Sequence, residues 1–510
     1  MEKLPQELVN QIASNLLEYA TGPGVLVYET HSNLARYATI SRSWKEAIEQ
    51  KTFHKLILES TDLEHFEAIA TGNRRLWVGH LELQVVLDDY PDEVCGLVED
   101  EHDRRLNNET FTRAIQRLFS VLSSWDSGAR QRMIVLRIRA PFSPKDRNHR
   151  SLERQKNDND NYEAVKQRDI FERRYEDSFI ELLRADELPV LNNISVLRIV
   201  GERERNMHPH VAGDLGSKVR KIQEIQVGFN DADKNSHGIR RANRYACAQA
   251  FERCHLPSLK IANVNFQHFC KSDQNHPVED LLPENFTHDP LSASLRILSY
   301  NLTSLDIHGV FDSSLFWPYD AVPTSLAPTW PHLKMLKVDF DMQTPSGGWY
   351  FTGTAPRNED EEGGDTREAP PSGDYYWKIF RTKPDQDTLE PFLLSFAKAA
   401  VHMPVLETAD LTCELQHSGF QFEIKYAASG QHLIGDIDSS DEDLEKPSYE
   451  DFNEQQNLRQ LWFAIGSWRL SKITMQVFKN IGKAQHGSEL MERYGNKQIE
   501  EYDEEDWLAM

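Results

Sequence analysis

Long apolar runs are missing from this chain, cysteines are few, and positive charge is outnumbered. No stretch approaches the roughly 20 apolar residues that a bilayer-crossing helix needs. The five cysteines, Cys95, Cys247, Cys254, Cys270 and Cys413, are odd in number and scattered. They do not form the even, regularly spaced set of a disulfide-stapled domain. Glu2, Lys3, Pro5 and Gln6 show no charged-then-apolar leader pattern, so a reducing compartment, cytoplasm or nucleus, is expected. On that basis the Asn-x-Ser/Thr triplets at Asn108, Asn193, Asn285 and Asn301 are read as chance matches. Lysine and arginine total 57 against 81 acidic residues, a net charge of −24. Such a field repels phosphate backbones and anionic headgroups, so neither nucleic acid nor a membrane is expected as a partner.

Catalytic spellings are missing as well. There is no G-x-x-x-x-G-K-[ST] phosphate loop, no G-x-S-x-G elbow and no H-E-x-x-H. The nearest approach to a metal site is the set Cys247, Cys254, His255, His268, Cys270 and His276. Zinc ligands come in pairs about two to four residues apart, and these cysteines do not. They read as packed cysteines and surface histidines. No catalytic residue, cofactor or metal is expected.

What is present is a chain of 510 residues, 39% hydrophobic and 10% aromatic, which suits a folded body larger than one ordinary domain. Its first segment is helical by period. Leu8, Val9, Ile12, Ala13, Leu16 and Leu17 recur at spacings of three and four behind Pro5. Residues 21–24, Thr-Gly-Pro-Gly, end that helix, and Leu34, Tyr37, Ala38 and Ile40 form a second apolar stripe. Ser43-Trp44-Lys45-Glu46 matches a capping box and opens a third helix with Trp44, Ala47 and Ile48 on one side.

These residues carry a resemblance. Leu4-Pro5, Glu7-Leu8, Ile12, Leu16, Ile40-Ser41-Arg42, Trp44 and Ile48, closed by Phe53 and Leu56, resemble an F-box. The interval from Leu4 to Trp44 is longer than is usual in that family, and the extra length falls in 22–33. The resemblance implies a three-helix module over 1–56 that docks on a Skp-type adaptor and, through it, a cullin, while the rest of the chain selects a protein target for ubiquitin ligation. It implies adaptor contacts from Leu4, Pro5, Leu8, Ile12, Leu16, Ile40, Ser41, Trp44 and Ile48. Trp44 would be the anchor, since aromatic residues dominate interface hot spots. The same residues could instead be the core of a helical cap on the body. The whole chain also resembles the large F-box proteins of filamentous fungi, on 73–83 as the first strand entry after the box.

Beyond the module, strand-like runs recur at 81–85, 133–138, 195–200, 222–227, 302–307, 333–340 and 406–411. Several place leucine two or three residues ahead of another aliphatic, as in Leu302-Thr303-Ser304-Leu305. Helix-period faces lie between them: Phe111, Ala114, Ile115, Leu118, Phe119 and Leu122, then Leu389, Phe392, Leu393, Phe396, Ala397 and Ala400. The fold class expected is therefore α/β. After the module comes an irregular leucine-rich-repeat-like strand–helix solenoid over 57–498, or a strand–helix–strand crossover domain. The spacing is looser than the about 20–29 residues of regular leucine-rich repeats.

Exposed insertions are expected at 143–175, 354–374 and 436–448, with an acidic tail over 499–510. The second reads as the disordered tip of a β-hairpin between 349–351 and 375–377. Ser439-Ser440 before Asp441-Glu442-Asp443 suits an acidophilic kinase, or is a solvated loop. Residues 419–426 alternate as a strand. Trp462, Phe463, Ile465 and Trp468 read as a buried helix face or a pocket lining. A regulatory scaffold on the adaptor without ligase activity, and an enzyme with a site in the body, stand as alternatives.

Overall fold

A computed structural model describes residues 4–20, 35–95, 97–125, 132–146, 174–175, 177–201, 205–231, 238–267, 274–275, 277–318, 327–354, 380–415, 420–431 and 457–495. The fold is mixed α/β, built on a large, mostly parallel sheet. The chain divides into two compact units, 1–227 and 228–510, where the sequence reads 57–498 as one body. No described helix is long and apolar enough to cross a membrane.

The first unit opens with α1 (Gln6–Ala20), a 3-10 turn (Ala35–Thr39) and α2 (Arg42–Thr52). Then come β1 (Lys55–Glu59), α3 (Leu63–Ile69), β2 (His80–Val86), α4 (Glu101–Ser124), β3 (Ile134–Phe142), β4 (Ile194–Val200) and α5 (His210–Ser217). Strands β1 to β4 pair in parallel in chain order, and their register lines up Leu58, Leu83, Ile138 and Ile199. Asp100 starts α4 by accepting from the Asp103 N–H at 2.8 Å. Its apolar stripe, Phe111, Ile115, Leu118, Phe119 and Leu122, is wholly buried. Each such side chain contributes about 1.5–3 kcal/mol on leaving water. Gly79 lets the chain pass against the His54 ring, where a Cβ would overlap it. The His54 carbonyl accepts from the Gly79 and His80 N–H groups there, at 3.0 and 2.9 Å.

Strand β5 (Glu224–Asn230) contains the division. The second unit holds α6 (Ile239–Arg253), β6 (Ile261–Gln267), α7 (Pro290–Ser299), β7 (Ser304–Gly309), β8 (Met335–Phe340) and α8 (Leu389–Val401). It continues with β9 (Thr408–Leu415), β10 (Phe420–Ala427), β11 (Arg459–Ala464), α9 (Lys472–Asn480) and β12 (Leu490–Tyr494). Strands β6 to β9 are parallel, β10 runs antiparallel to β9 and β11, and β12 is parallel to β11. An aromatic core joins Phe316, Phe340, Tyr350, Phe392, Phe396, Phe463 and Phe478, with neighbouring ring centroids 5.0–6.0 Å apart.

A local pattern recurs ahead of these strands. Leu259, Leu302, Leu333 and Leu406 are buried, and each closes a turn by donating its N–H to the carbonyl three residues back, at 3.1–3.5 Å. The strand starts two residues later. This is why the expected runs at 302–307, 333–340 and 406–411 begin ahead of β7, β8 and β9: the leading leucine plugs the entry turn and is not part of the ladder.

Other expectations are corrected. Ser41, not Ser43, caps α2: its backbone is extended (φ −163°, ψ 173°) and its Oγ accepts from the Trp44 N–H at 3.3 Å. Ser43 is already helical, so it cannot be a cap. Tyr37 and Ala38 lie in a 3-10 turn, not a full helix. Phe463 and Ile465 are buried and Trp462 half-buried, because 459–464 is strand β11. A period-two signal had the look of a helix face. The expected hairpin starts at Phe351–Thr352 but pairs with Lys383–Pro384, beyond the expected 375–377. The bulk of the insertions at 143–175, 354–374 and 436–448, with Ser439 and Ser440, and the tail over 499–510 lie outside the described residues. Asn108 and Asn193 are buried, and the Asn193 amide donates to the Leu122 carbonyl at 2.9 Å, so a glycan has no room at either.

Candidate docking surfaces

The N-terminal module is held by a small core. Val9, Ala13, Trp44, Ala47 and Ile48 are buried together, with Leu16, Tyr37 and Ala38 packed against them. The Tyr37 and Trp44 ring centroids are 6.2 Å apart. Gln6 ties α1 to α2 by donating to the Ser43 carbonyl at 3.1 Å. Arg74 ties α2 to the chain after α3, with Glu49 at 2.5 Å and its guanidinium 5.1 Å over the Phe53 ring.

The expected adaptor contacts separate into two sets. Leu8 is 45% exposed, Leu4, Ile12 and Ile40 are each 39% exposed, and Pro5 is exposed beside them. Trp44 is 5% exposed and Ile48 2%, so they are core residues and offer almost no surface. Leu16 is half-buried against that core, and Ser41 is spent on the helix cap. The sequence reading put one apolar face on α1. The structure gives it two, Val9 and Ala13 inward, Leu8 and Ile12 outward, because a core this small cannot cover so wide an apolar arc.

The sheet of the second unit offers another surface. Along β7 to β10 the residues Leu305, Ile307, Leu336, Val338, Leu411 and Ile424 are buried. Between them, on the opposite face, stand Asp306, His308, Lys337, Asp339, Asp410 and Lys425, half-buried to exposed. A groove of about 320 Å³ runs over β8, β9 and β10, lined by Met335, Lys337, Asp339, Asp410, Glu423 and Lys425 among others. Lys425 Nζ is 3.4 Å from Glu423 and 3.9 Å from Asp410. His308 Nδ1 is 2.8 Å from Asp339, and that hydrogen bond holds the imidazole pKa above its usual value. Sequence reasoning missed this surface. The signal was the charged residue between two buried aliphatics, as in Leu305-Asp306-Ile307 and Leu336-Lys337-Val338.

Two ionic networks lie where strands end. After β2, β3 and β4, Asp146 accepts from Tyr90 at 2.5 Å and Tyr175 at 3.0 Å, and Arg205 Nη2 meets both Glu99 oxygens at 2.7 and 2.6 Å. The guanidinium groups of Arg174 and Arg205 lie 4.0 Å over the Tyr90 and Tyr175 rings. Burial pushes up the Asp146 carboxyl and both phenols. In the second unit Arg244 stands 2.9 Å from Asp289, which caps α7, and 3.6 Å from Asp231. Strand ends are where open α/β sheets place ligand sites. Here Glu99, Asp146, Arg205, Asp231, Arg244 and Asp289 are all buried, so these groups bind loops to one another rather than line an accessible cleft.

Of the cysteine–histidine set, Cys247 is sealed in the core, where burial pushes its thiol pKa up, and Cys254 is half-buried. His268, Cys270 and His276 lie outside the described residues. Among the described residues no three His, Cys, Asp or Glu side chains converge as metal ligands would. Comparison of the chain with protein-family models, with curated proteins and with solved structures finds no match.

Proposed function

We propose that this chain is a non-enzymatic target receptor that docks on a Skp-type adaptor, and through it a cullin, by an F-box-like module at its N-terminus. One observation carries the reading. Leu4, Pro5, Leu8, Ile12 and Ile40 are exposed apolar residues on a module whose own core is already filled by Val9, Ala13, Trp44, Ala47 and Ile48. Leu8 and Ile12 lie one turn apart on the face of α1 turned away from that core, and an outward apolar face of this kind suits a surface that another protein covers.

The body supports the second half of the reading. Within each unit the parallel strands follow one another in chain order, and the buried entry leucine recurs ahead of β6, β7, β8 and β9. A leucine-rich-repeat-like solenoid has that order, with one sheet face left for a target. A doubly wound sheet reverses its order part-way.

The test is capture of a purified Skp-type adaptor, then of adaptor with cullin, by the wild-type chain and by a Leu8→Ala, Ile12→Ala, Ile40→Ala variant. These side chains are exposed, so the variant keeps its fold. The expected result is that wild type retains both partners and the variant neither. Adaptor without cullin would move the reading to a scaffold without ligase activity, and equal capture by the variant would sink it.

A further inference from the structure

The groove on β8, β9 and β10 has two unlike ends. By register, Asp306, Lys337, Asp410 and Lys425 form one row across the sheet, where charges of opposite sign alternate. The next row, towards the ends of β7 and β8, is His308, Asp339, Thr412 and Glu423, with Glu414 one step beyond on β9. No lysine or arginine stands in that second row. The local field there is negative: Asp339, then Asp341 and Glu414, favour the charged form of His308. At the other end of the groove Met335 is 46% exposed.

We propose that this sheet face holds an extended segment of the target protein that carries an apolar residue and, four positions away, a lysine or arginine. The inference rests on the receptor reading and names the class of target that this surface takes. Charge complementarity selects the occupant. Asp306, Asp339, Asp410, Glu414 and Glu423 stand against Lys337 and Lys425; Lys337 faces Asp306 and Asp410 in its own row, and Lys425 is held by Glu423 at 3.4 Å and Asp410 at 3.9 Å. An incoming cation finds Asp339 on a row that holds no lysine, with Glu414 one step beyond, whereas an acidic segment or a nucleic acid meets excess negative charge. The spacing follows from strand geometry. Met335 and Asp339 are four residues apart on β8, about 13 Å at about 3.3 Å per residue. An extended peptide parallel or antiparallel to β8 therefore reaches both ends of the groove with residues four apart. The apolar residue rests on Met335, and the cation sits beside Asp339 and Glu414.

The test uses the full chain and a fluorescein-labelled synthetic peptide with leucine and arginine four positions apart in a serine–threonine background, read by anisotropy. Peptides with glutamate for arginine, or with leucine and arginine adjacent, are the comparisons. The expected result is saturable binding of the first peptide alone. Asp339→Asn with Glu414→Gln should weaken it about tenfold or more, as loss of partners to a bound cation does, and Met335→Ser should weaken it as well. A second variant, Glu93→Gln with Glu284→Gln, makes the same change in net charge at exposed sites off the groove and should leave affinity unchanged. Equal loss in both double variants means that net charge alone attracts the peptide, and overturns the proposal. So does absence of binding to wild type, or indifference to the leucine–arginine spacing. Adaptor capture is measured on the same preparations. Intact capture with failed peptide binding removes this inference and leaves the receptor reading standing, and the reverse result does the opposite.

Discussion

Trp44 shows how burial decides what a residue can report. At 5% exposure it fills the core between α1 and α2, so Trp44→Ala is a folding mutation. It should cost about 3–5 kcal/mol, the range for truncating a buried large aromatic. Leu8→Ala, at a residue 45% exposed, should cost about 0.5 kcal/mol or less. Denaturant unfolding with amide exchange read on α1 and α2 separates the two; equal costs would mean that Leu8 is not at a free surface. His308 makes the second residue-scale prediction. Its native pKa is raised by the hydrogen bond to Asp339. Stability from this pair is complete below the unfolded histidine value, about 6.5, and fades as pH rises through the native one. His54 and His80 shift the opposite way, lowered first by burial and then by neighbouring positive charge. Their contribution is present above the unfolded value and is lost as pH falls. Ring NMR titration should place His308 above both, and Asp339→Asn should bring it down. A His308 midpoint that does not respond to Asp339→Asn would remove the pair.

At the scale of elements, α2 distinguishes a cap from a look-alike. Ser41→Ala removes the hydroxyl that accepts from the Trp44 N–H and should cost about 1 kcal/mol. Ser43→Ala, inside the helix, should cost nothing measurable by thermal unfolding. The reverse order would restore the Ser43–Glu46 capping box. The strands carry a similar lesson. Entry leucines such as Leu302 and Leu406 have the local spelling of strand residues, yet each packs under a turn and the ladder starts two residues later. The helices α4 and α8 were legible because their stripes are long and bounded. Strands β1, β6, β11 and β12 were not. In β12 every residue is half-buried or exposed, so no alternation marks it, and in β11 the aromatic residues mimic a helical face.

At the scale of the whole molecule, charge is the controlling quantity. A net charge of −24 repels itself most at low ionic strength, where the Debye length is about 30 Å at 0.01 M against about 8 Å at 0.15 M. Adding sodium chloride over that range should raise the midpoint of thermal unfolding in calorimetry. A flat or falling midpoint would mean that paired surface charges, such as Lys334 with Glu407 at 2.7 Å, outweigh the general repulsion. The same bias runs through the proposed target surface, where the carboxylates of β7 to β10 exceed the lysines facing them.

The sequence by itself determined the α/β class, the helical start, the two long amphipathic helices and most strand starts to within two residues. Those depend on local periodicity and local capping, which neighbouring residues carry. The tertiary structure decided the rest. It turned Val9 inward and Leu8 outward on one helix, because how much of an apolar arc is buried depends on what packs against it. It put Trp44 and Ile48 in a core and Ile40 on a surface. It also gathered Asp339, Asp410 and Glu423, from separate strands, onto one face of the sheet. Register across a sheet is set by contacts between residues distant in the chain, and no local pattern encodes it.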